Sequence, residues 1–287
     1  MGQAGSMPAI HRERARAKLT RSLRITGRRD DGYHLLESEM VTLDFGDELE
    51  IEELACLPVE LEVVDQVAWL GPGRTAASAP GGRADGAGAR ALDVPLGEEN
   101  LVVKALRLVG RSARVRLVKR IPPGAGLGGG SADAAAVLRW AGVGDPGLAV
   151  GLGADVPFCV VGGRALVAGV GEVVRPLEPD DATYLCCTPS FGVSTALVYR
   201  AFDEIGRGEC RDGRNDLEYA ALAVEPRLAA LRDLIASVTG ERPALAGSGA
   251  TWFVPCTAEA APQLRDDVAG AVLADGGRVS INVGRTV

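Results

Sequence analysis

The sequence predicts an α+β fold in two subdomains that meet near residue 170. Strand-like and helix-like segments are mixed without the strict β-α alternation of a doubly wound parallel sheet. The length, 287 residues, gives room for two domains or one large one with a well-buried core. Composition adds a third observation: 47% hydrophobic and 24% charged residues are ordinary globular usage and exclude wholesale disorder and a coiled coil. With aromatics at 4% and 38 glycines, the core is expected to be aliphatic and the turns glycine-rich.

Residues 1–10 read as a disordered tail, residues 11–170 as the N-terminal subdomain and 171–287 as a C-terminal α+β subdomain. Residues 15–26 (ARAKLTRSLRIT) alternate small or apolar with polar side chains, which is a strand pattern, and Asp31-Gly32 supplies the turn of a hairpin. EMVTLDF and DELEIEEL read as two further strands joined at Gly46-Asp47, followed by PVELEVV. Residues 71–92 are Gly, Ala, Pro and Arg without apolar periodicity, so a flexible loop is expected. The run LVVKALRLVG after Glu98, Glu99 and Asn100 has helical spacing, with acids near its positive end. ARVRLVKRI reads as a strand that leads into a proline stop, a glycine loop and an alanine-rich helix. Beyond it, ATYLCCT reads as a strand. The last third alternates helices (195–206, 215–222, 226–239, 258–270) with strands (243–246, 251–255, 278–283).

A net charge of −7 excludes a dedicated nucleic-acid binder, which needs a basic surface. A small anionic ligand held by local positive charge stays possible. Only Lys18, Lys104 and Lys119 are lysine among 31 Lys and Arg residues, so each lysine is a candidate for a site that needs a compact point charge. Two histidines, His11 and His34, argue against a histidine metal centre, and no private metal site is expected. Six cysteines lack a C-x-x-C spacing and read as reduced, buried thiols of a cytoplasmic protein. No run of eighteen apolar residues and no secretory pattern is present, so neither a membrane span nor a membrane partner is expected.

The segment PPGAGLGGGSADAAA (122–136) is the richest feature. Gly124, Gly126, Gly128, Gly129 and Gly130 bare the backbone N–H groups just before a helix whose N-terminus carries about half a positive charge. That is a phosphate cradle; a simple tight turn would not need five glycines in seven positions, each costly in chain entropy. Gly124, Gly126 and Gly129 satisfy G-x-G-x-x-G, the dinucleotide fingerprint of a nicotinamide dehydrogenase. The fingerprint needs a strand running straight into the loop and an acidic strand end about twenty residues on; here Pro122-Pro123 intervene and another glycine-rich stretch follows. A Walker A loop needs Lys before Ser, where this chain has Gly130.

These residues resemble the signature of the galactokinase, homoserine kinase, mevalonate kinase and phosphomevalonate kinase superfamily. The resemblance is strongest to the branch that phosphorylates a cytidine-diphosphate-linked methylerythritol. It extends over residues 15–287 in ordered blocks: AKLTRSLRITGRRDDGYHLLESEM, ENLVVKA, the glycine loop, LGADVPF, VSTALVY, RNDLE and LAGSGATWF. It implies a two-subdomain small-molecule kinase fold with its active site in the cleft between subdomains, ATP as phosphoryl donor, and Mg²⁺ arriving with ATP. Other alcohol kinases of the superfamily and a non-catalytic ligand-binding member are the alternatives.

By the same resemblance Lys18 and Asp155 are the catalytic pair. Asn100, Lys119, Pro122, the five glycines and Ser131 surround the nucleotide. Thr20, Tyr33, His34, Tyr199, Gly247 and Ser248 take the cytidine substrate, with Gly249 completing a second bare-backbone loop. The pattern shows Asn where this chain has Thr20, and the stretch after the glycine loop is shorter. Local readings stand beside these roles. Asp155 before Val-Pro is also a turn or capping residue, Ser131 also an N-cap, Tyr33-His34 also a turn pair, and Asp133 a structural acid favoured by the helix dipole.

Overall fold

In a computed structural model, described over residues 9–55, 59–71, 94–205 and 214–287, the chain forms two sheets flanked by helices. The expected loop 71–92, apart from Gly71, and most of the expected tail fall outside the described residues. Ile10, inside that tail, already opens a strand.

The first sheet is built on a long antiparallel hairpin, β1 (Ile10–Arg28) and β2 (His34–Glu53). Gly46-Asp47 was expected to turn the chain and does not, because β2 runs through it. A Cβ at Gly46 would lie 2.6 Å from Arg16 Cα, so the glycine permits close strand approach instead. Asp47 is buried and takes tertiary partners described below. β3 (Glu60–Asp65) pairs in parallel with β4 (Ala113–Lys119), and β5 (Arg164–Gly169) and β6 (Val173–Pro176) complete the order β3-β4-β2-β5-β6, with β1 on β2. The register of β1 shifts between Arg16 and Lys18 and again between Thr20 and Ser22. Such bulges re-aim side chains beside functional sites, and here they flank Lys18 and Thr20.

Four helices accompany this sheet. α1 (Leu101–Leu108) starts at Asn100, whose side-chain oxygen accepts from Val102 N, a standard N-cap. α2 (Gly129–Trp140) is buried along nearly all its length, from Ala132 to Leu138, and its alanines let it pack closely on β1 and α1. α3 (Pro146–Ala149) and α4 (Val156–Val161) follow.

The second sheet is antiparallel in the order β10-β7-β9-β8, from β7 (Thr183–Pro189), β8 (Ala244–Leu245), β9 (Trp252–Cys256) and β10 (Val279–Arg285). Its helices are α5 (Thr195–Ile205), α6 (Glu218–Val224), α7 (Arg227–Thr239) and α8 (Ala261–Ala274). α6 and α8 each begin three residues later than the apolar pattern placed them. One aliphatic core runs from Leu49, Ile51 and Leu138 to Leu185, Trp252 and Val268. Backbone bonds from Leu23 N to Arg214 O and from Asp216 N to Leu23 O tie the hairpin to the second half.

Candidate active site

The two halves enclose a cleft of about 520 Å³. Its floor is β1, one wall is the glycine loop and α2, and the other is α5 with residues 247–249. Lys18 sits at the floor, 4% exposed. Its Nζ lies 3.0 Å from Asp155 Oδ2 and donates to Thr20 Oγ1 at 3.0 Å. Asp155 holds the N-cap position of α4, yet its side chain makes no capping bond, which leaves the carboxylate to Lys18. The capping expectation for Asp155 is thereby corrected.

The glycine loop leans on the same lysine. Lys18 N donates to Leu127 O at 3.0 Å, and a Cβ at Gly128 would lie 2.6 Å from Lys18 Cγ. Gly124, Gly126 and Gly128 have φ of 70°, 77° and 68°, a region L side chains rarely adopt. A Cβ at Gly126 would lie 2.7 Å from Gly249 O, and Ala250 N and Thr251 N donate to Gly124 O and Ala125 O. The two bare-backbone loops therefore touch. α2 starts at Gly129 with Gly128 as its cap, so Ser131 is the third helical residue and not the N-cap, and its side chain lines the cleft.

The second loop is clamped by Asn215, whose Nδ2 donates to Leu245 O at 2.9 Å and Gly247 O at 2.7 Å. Ser248 and Thr195 share a hydroxyl bond of 2.8 Å. Gly247 has φ 60°, a region that favours glycine, and its Cα side borders the floor, where a Cβ would be in ordinary contact with Lys18 Nζ and Thr20 Oγ1 at 3.7 Å.

Tyr199, on α5, lines the cleft; burial and then the Asp155 charge push its hydroxyl up to about 12. The His34 ring lies 5.0 Å from the Tyr199 ring, with its Nε2 2.7 Å from Asp203 Oδ1. Thus His34 stands behind Tyr199, outside the cleft lining. Tyr33 is 66% exposed and also does not line the cleft. Asn100 lines it, although its amide is spent on Val102 N and Pro95 O. Pro122 is part of the wall as well.

Lys119 lines the cleft but its ammonium faces inward, bonded to Asp47 and, at 2.7 Å, to Asp133 Oδ2. Burial opposes its charge, yet the two carboxylates outweigh that and raise its pKa. Burial pushes Asp133 up to about 7 despite Lys119, and Asp47 adds to the rise. Asp133 is therefore a buried partner of Lys119, which corrects its reading as an acid placed for the helix dipole.

Sequence reasoning brought Lys18, Thr20, Asn100, Lys119, Pro122, the five glycines, Ser131, Asp155, Tyr199, Gly247 and Ser248 to one cleft, as the structure does. It missed Asp47, Asn215 and Thr195. Asn215 lies in the RNDLE block, which was the available signal; Asp47 had none, being hidden in an apparent turn.

Residues 100–163 match the family model described as GHMP kinases N terminal domain. A 4-diphosphocytidyl-2-C-methyl-D-erythritol kinase of Paracoccus denitrificans is 36% identical over 265 residues, covering 86% of this chain and 87% of the relative. A solved structure of 4-(cytidine 5'-diphospho)-2C-methyl-D-erythritol kinase matches with TM-score 0.65 at 30% identity, over 96% of this chain and 98% of that one. The Methanococcus jannaschii mevalonate kinase shares the fold with TM-score 0.59 at 12% identity, over 99% of both chains. The chain belongs to the 4-diphosphocytidyl-2-C-methyl-D-erythritol kinase family.

Proposed function

We propose that the chain transfers the γ-phosphoryl group of ATP to the 2-hydroxyl of 4-diphosphocytidyl-2-C-methyl-D-erythritol, a step of non-mevalonate isoprenoid precursor synthesis. One observation carries the chemistry: the Lys18–Asp155 pair, at 3.0 Å, stands in the same cleft as a loop with three left-handed glycines leading into α2.

Asp155 accepts the hydroxyl proton as the alkoxide oxygen bonds to the γ-phosphorus and the bond to the β,γ-bridging oxygen breaks, releasing ADP. Lys18 pairs with the Asp155 carboxylate at 3.0 Å and offsets the charge developing on the attacking oxygen. Backbone N–H groups of residues 124–131 and the N-terminus of α2 receive the triphosphate. Gly247, Ser248 and Gly249, beside the glycine loop where Gly249 meets Gly126, face the diphosphate of the acceptor, while Tyr199, backed by His34, offers a ring face to the cytosine.

Among the described residues no group of three or more His, Cys, Asp or Glu side chains is placed to hold a metal. The Ser131 hydroxyl, in the cleft lining at the start of α2, is the protein oxygen that would hold Mg²⁺, whose other ligands would come from phosphate and water. When bound, Mg²⁺ neutralises charge on the transferring phosphoryl group. None of the helices in the described residues is long and apolar enough to cross a membrane, and the free, buried thiols of Cys159, Cys186 and Cys187 support a reducing, cytoplasmic setting.

ADP release measured against a panel of alcohols, with and without the cytidine diphosphate group, tests the substrate. Turnover confined to the cytidine-bearing alcohol is expected. Equal or faster turnover of mevalonate or homoserine would assign the chain to another activity of the superfamily.

A further inference from the structure

The glycine loop faces a physical difficulty. Five glycines between 124 and 130 free the backbone to approach phosphate, and the same freedom disperses the N–H groups over many conformations. Something has to hold the two ends of the loop. Lys119 is the last residue of β4, before the loop, and Asp133 lies in the second turn of α2, after it. Their ion pair, 2.7 Å between Lys119 Nζ and Asp133 Oδ2, closes the loop at its neck.

Asp47, reaching over from β2, completes the neck. Its Oδ2 accepts from Lys119, and its Oδ1 accepts from the backbone of Arg120 at 2.5 Å and Ile121 at 2.8 Å. Those are the two residues that lead into Pro122. The first helical residue rests on this neck: a Cβ at Gly129 would lie 3.1 Å from Ile121 Cγ2 and 3.2 Å from Lys119 Nζ. Contact with the neck accounts for glycine there, since Gly129 is not among the glycines with positive φ.

We propose that Asp133, through Lys119 and Asp47, is a positioning residue that fixes the phosphate-binding geometry of the glycine loop. Lys119 accordingly acts on the nucleotide through the loop, with its ammonium committed to the two carboxylates. The inference rests on the reading of this loop as the ATP cradle, and the test separates the two.

Charge and hydrogen bonding are separated by comparing Asp133→Asn with Asp133→Leu. Both remove one negative charge and keep the branched four-atom side-chain skeleton, but only the asparagine keeps an oxygen for Lys119 to donate to. ATP dissociation constants are read by calorimetric titration and the KM of the cytidine substrate by ADP release. The leucine variant is expected to bind ATP about tenfold more weakly than the asparagine variant, the order of one lost charge-assisted bond. The KM for the alcohol should agree between them within about twofold, because the acceptor side has its own anchors, Asn215 on Gly247 and Thr195 on Ser248, although Gly249 touches the loop at Gly126. Equal ATP affinity of the two variants, or equal weakening of both ligands, overturns the proposal. Should the leucine variant fail to fold, amide exchange of wild type and Asp133→Ala, which also removes the acceptor, decides. Faster exchange over residues 122–132 with β7 and β9 unchanged supports the clamp, and unchanged exchange in the loop overturns it. A wild-type protein without ATP affinity would instead sink the kinase reading.

Discussion

Thr20 Oγ1 accepts a 3.0 Å hydrogen bond from Lys18 Nζ, the atom that also lies 3.0 Å from Asp155 Oδ2. Thr20 therefore fixes the direction from which the ammonium meets the carboxylate. Thr20→Val keeps the shape and removes the acceptor, so kcat should fall roughly three- to tenfold, as for one net hydrogen bond. Thr20→Asn, the residue usual in the family pattern, should keep most of the rate. Steady-state kinetics on both variants check this; an unimpaired valine variant would leave Thr20 as mere packing.

Gly128→Val should abolish ATP binding in a protein that still folds. The residue has φ 68°, and its Cβ would press on the side chain of Lys18, so loop and floor are disturbed together. Circular dichroism with nucleotide titration distinguishes misfolding from lost binding. Retained ATP affinity in the folded variant would refute the phosphate cradle.

His34→Ala should raise the KM of the cytidine substrate while sparing ATP. The ring supports Tyr199 from behind at 5.0 Å and is held by Asp203 at 2.7 Å. Loss of that support is expected to cost about 1 kcal/mol, roughly fivefold in KM, near the scale of an aromatic pair. Equal weakening of both ligands would place His34 in the general stability of the hairpin end.

Thiol reagents should leave three cysteines untouched in the native protein. Burial, with the Asp155 charge, pushes Cys159 up to about 12, burial does the same for Cys187, and Cys186 is also raised well above its ordinary value. Since the thiolate is the reactive form, labelling at about pH 8 should require denaturation. Peptide mapping after native labelling reads this; rapid modification at Cys186 or Cys187 would mean that β7 is open.

The site was legible in the sequence where its chemistry is local. Glycines bunched before an alanine-rich helix announce a cradle because backbone exposure is a property of neighbouring residues. Asp47 shows where legibility ended. Gly-Asp is a good turn pair, and only the carbonyl and backbone of Ala15 and Arg16, packed against Gly46, make it strand. The partner of its carboxylate is 72 positions away, beyond any periodicity. Asp133 was misread for the same reason, since a dipole argument sees the helix and not Lys119 beneath it. His34 and Tyr33, adjacent in sequence, part company in space: one backs Tyr199 and the other faces solvent.

The most direct test of Lys18 and Asp155 as one catalytic unit is a double-variant cycle read by single-turnover phosphoryl transfer to the cytidine substrate. Asp155→Asn removes the proton acceptor and should slow the step by roughly 10² or more with ATP affinity unchanged. Lys18→Ala should cost a comparable factor by leaving the carboxylate and the developing alkoxide without a cation. Because the pair is in contact at 3.0 Å, the double variant should be barely slower than the worse single one. Single-variant losses that multiply in the double variant, or an Asp155→Asn enzyme with near-full rate, would contradict the account.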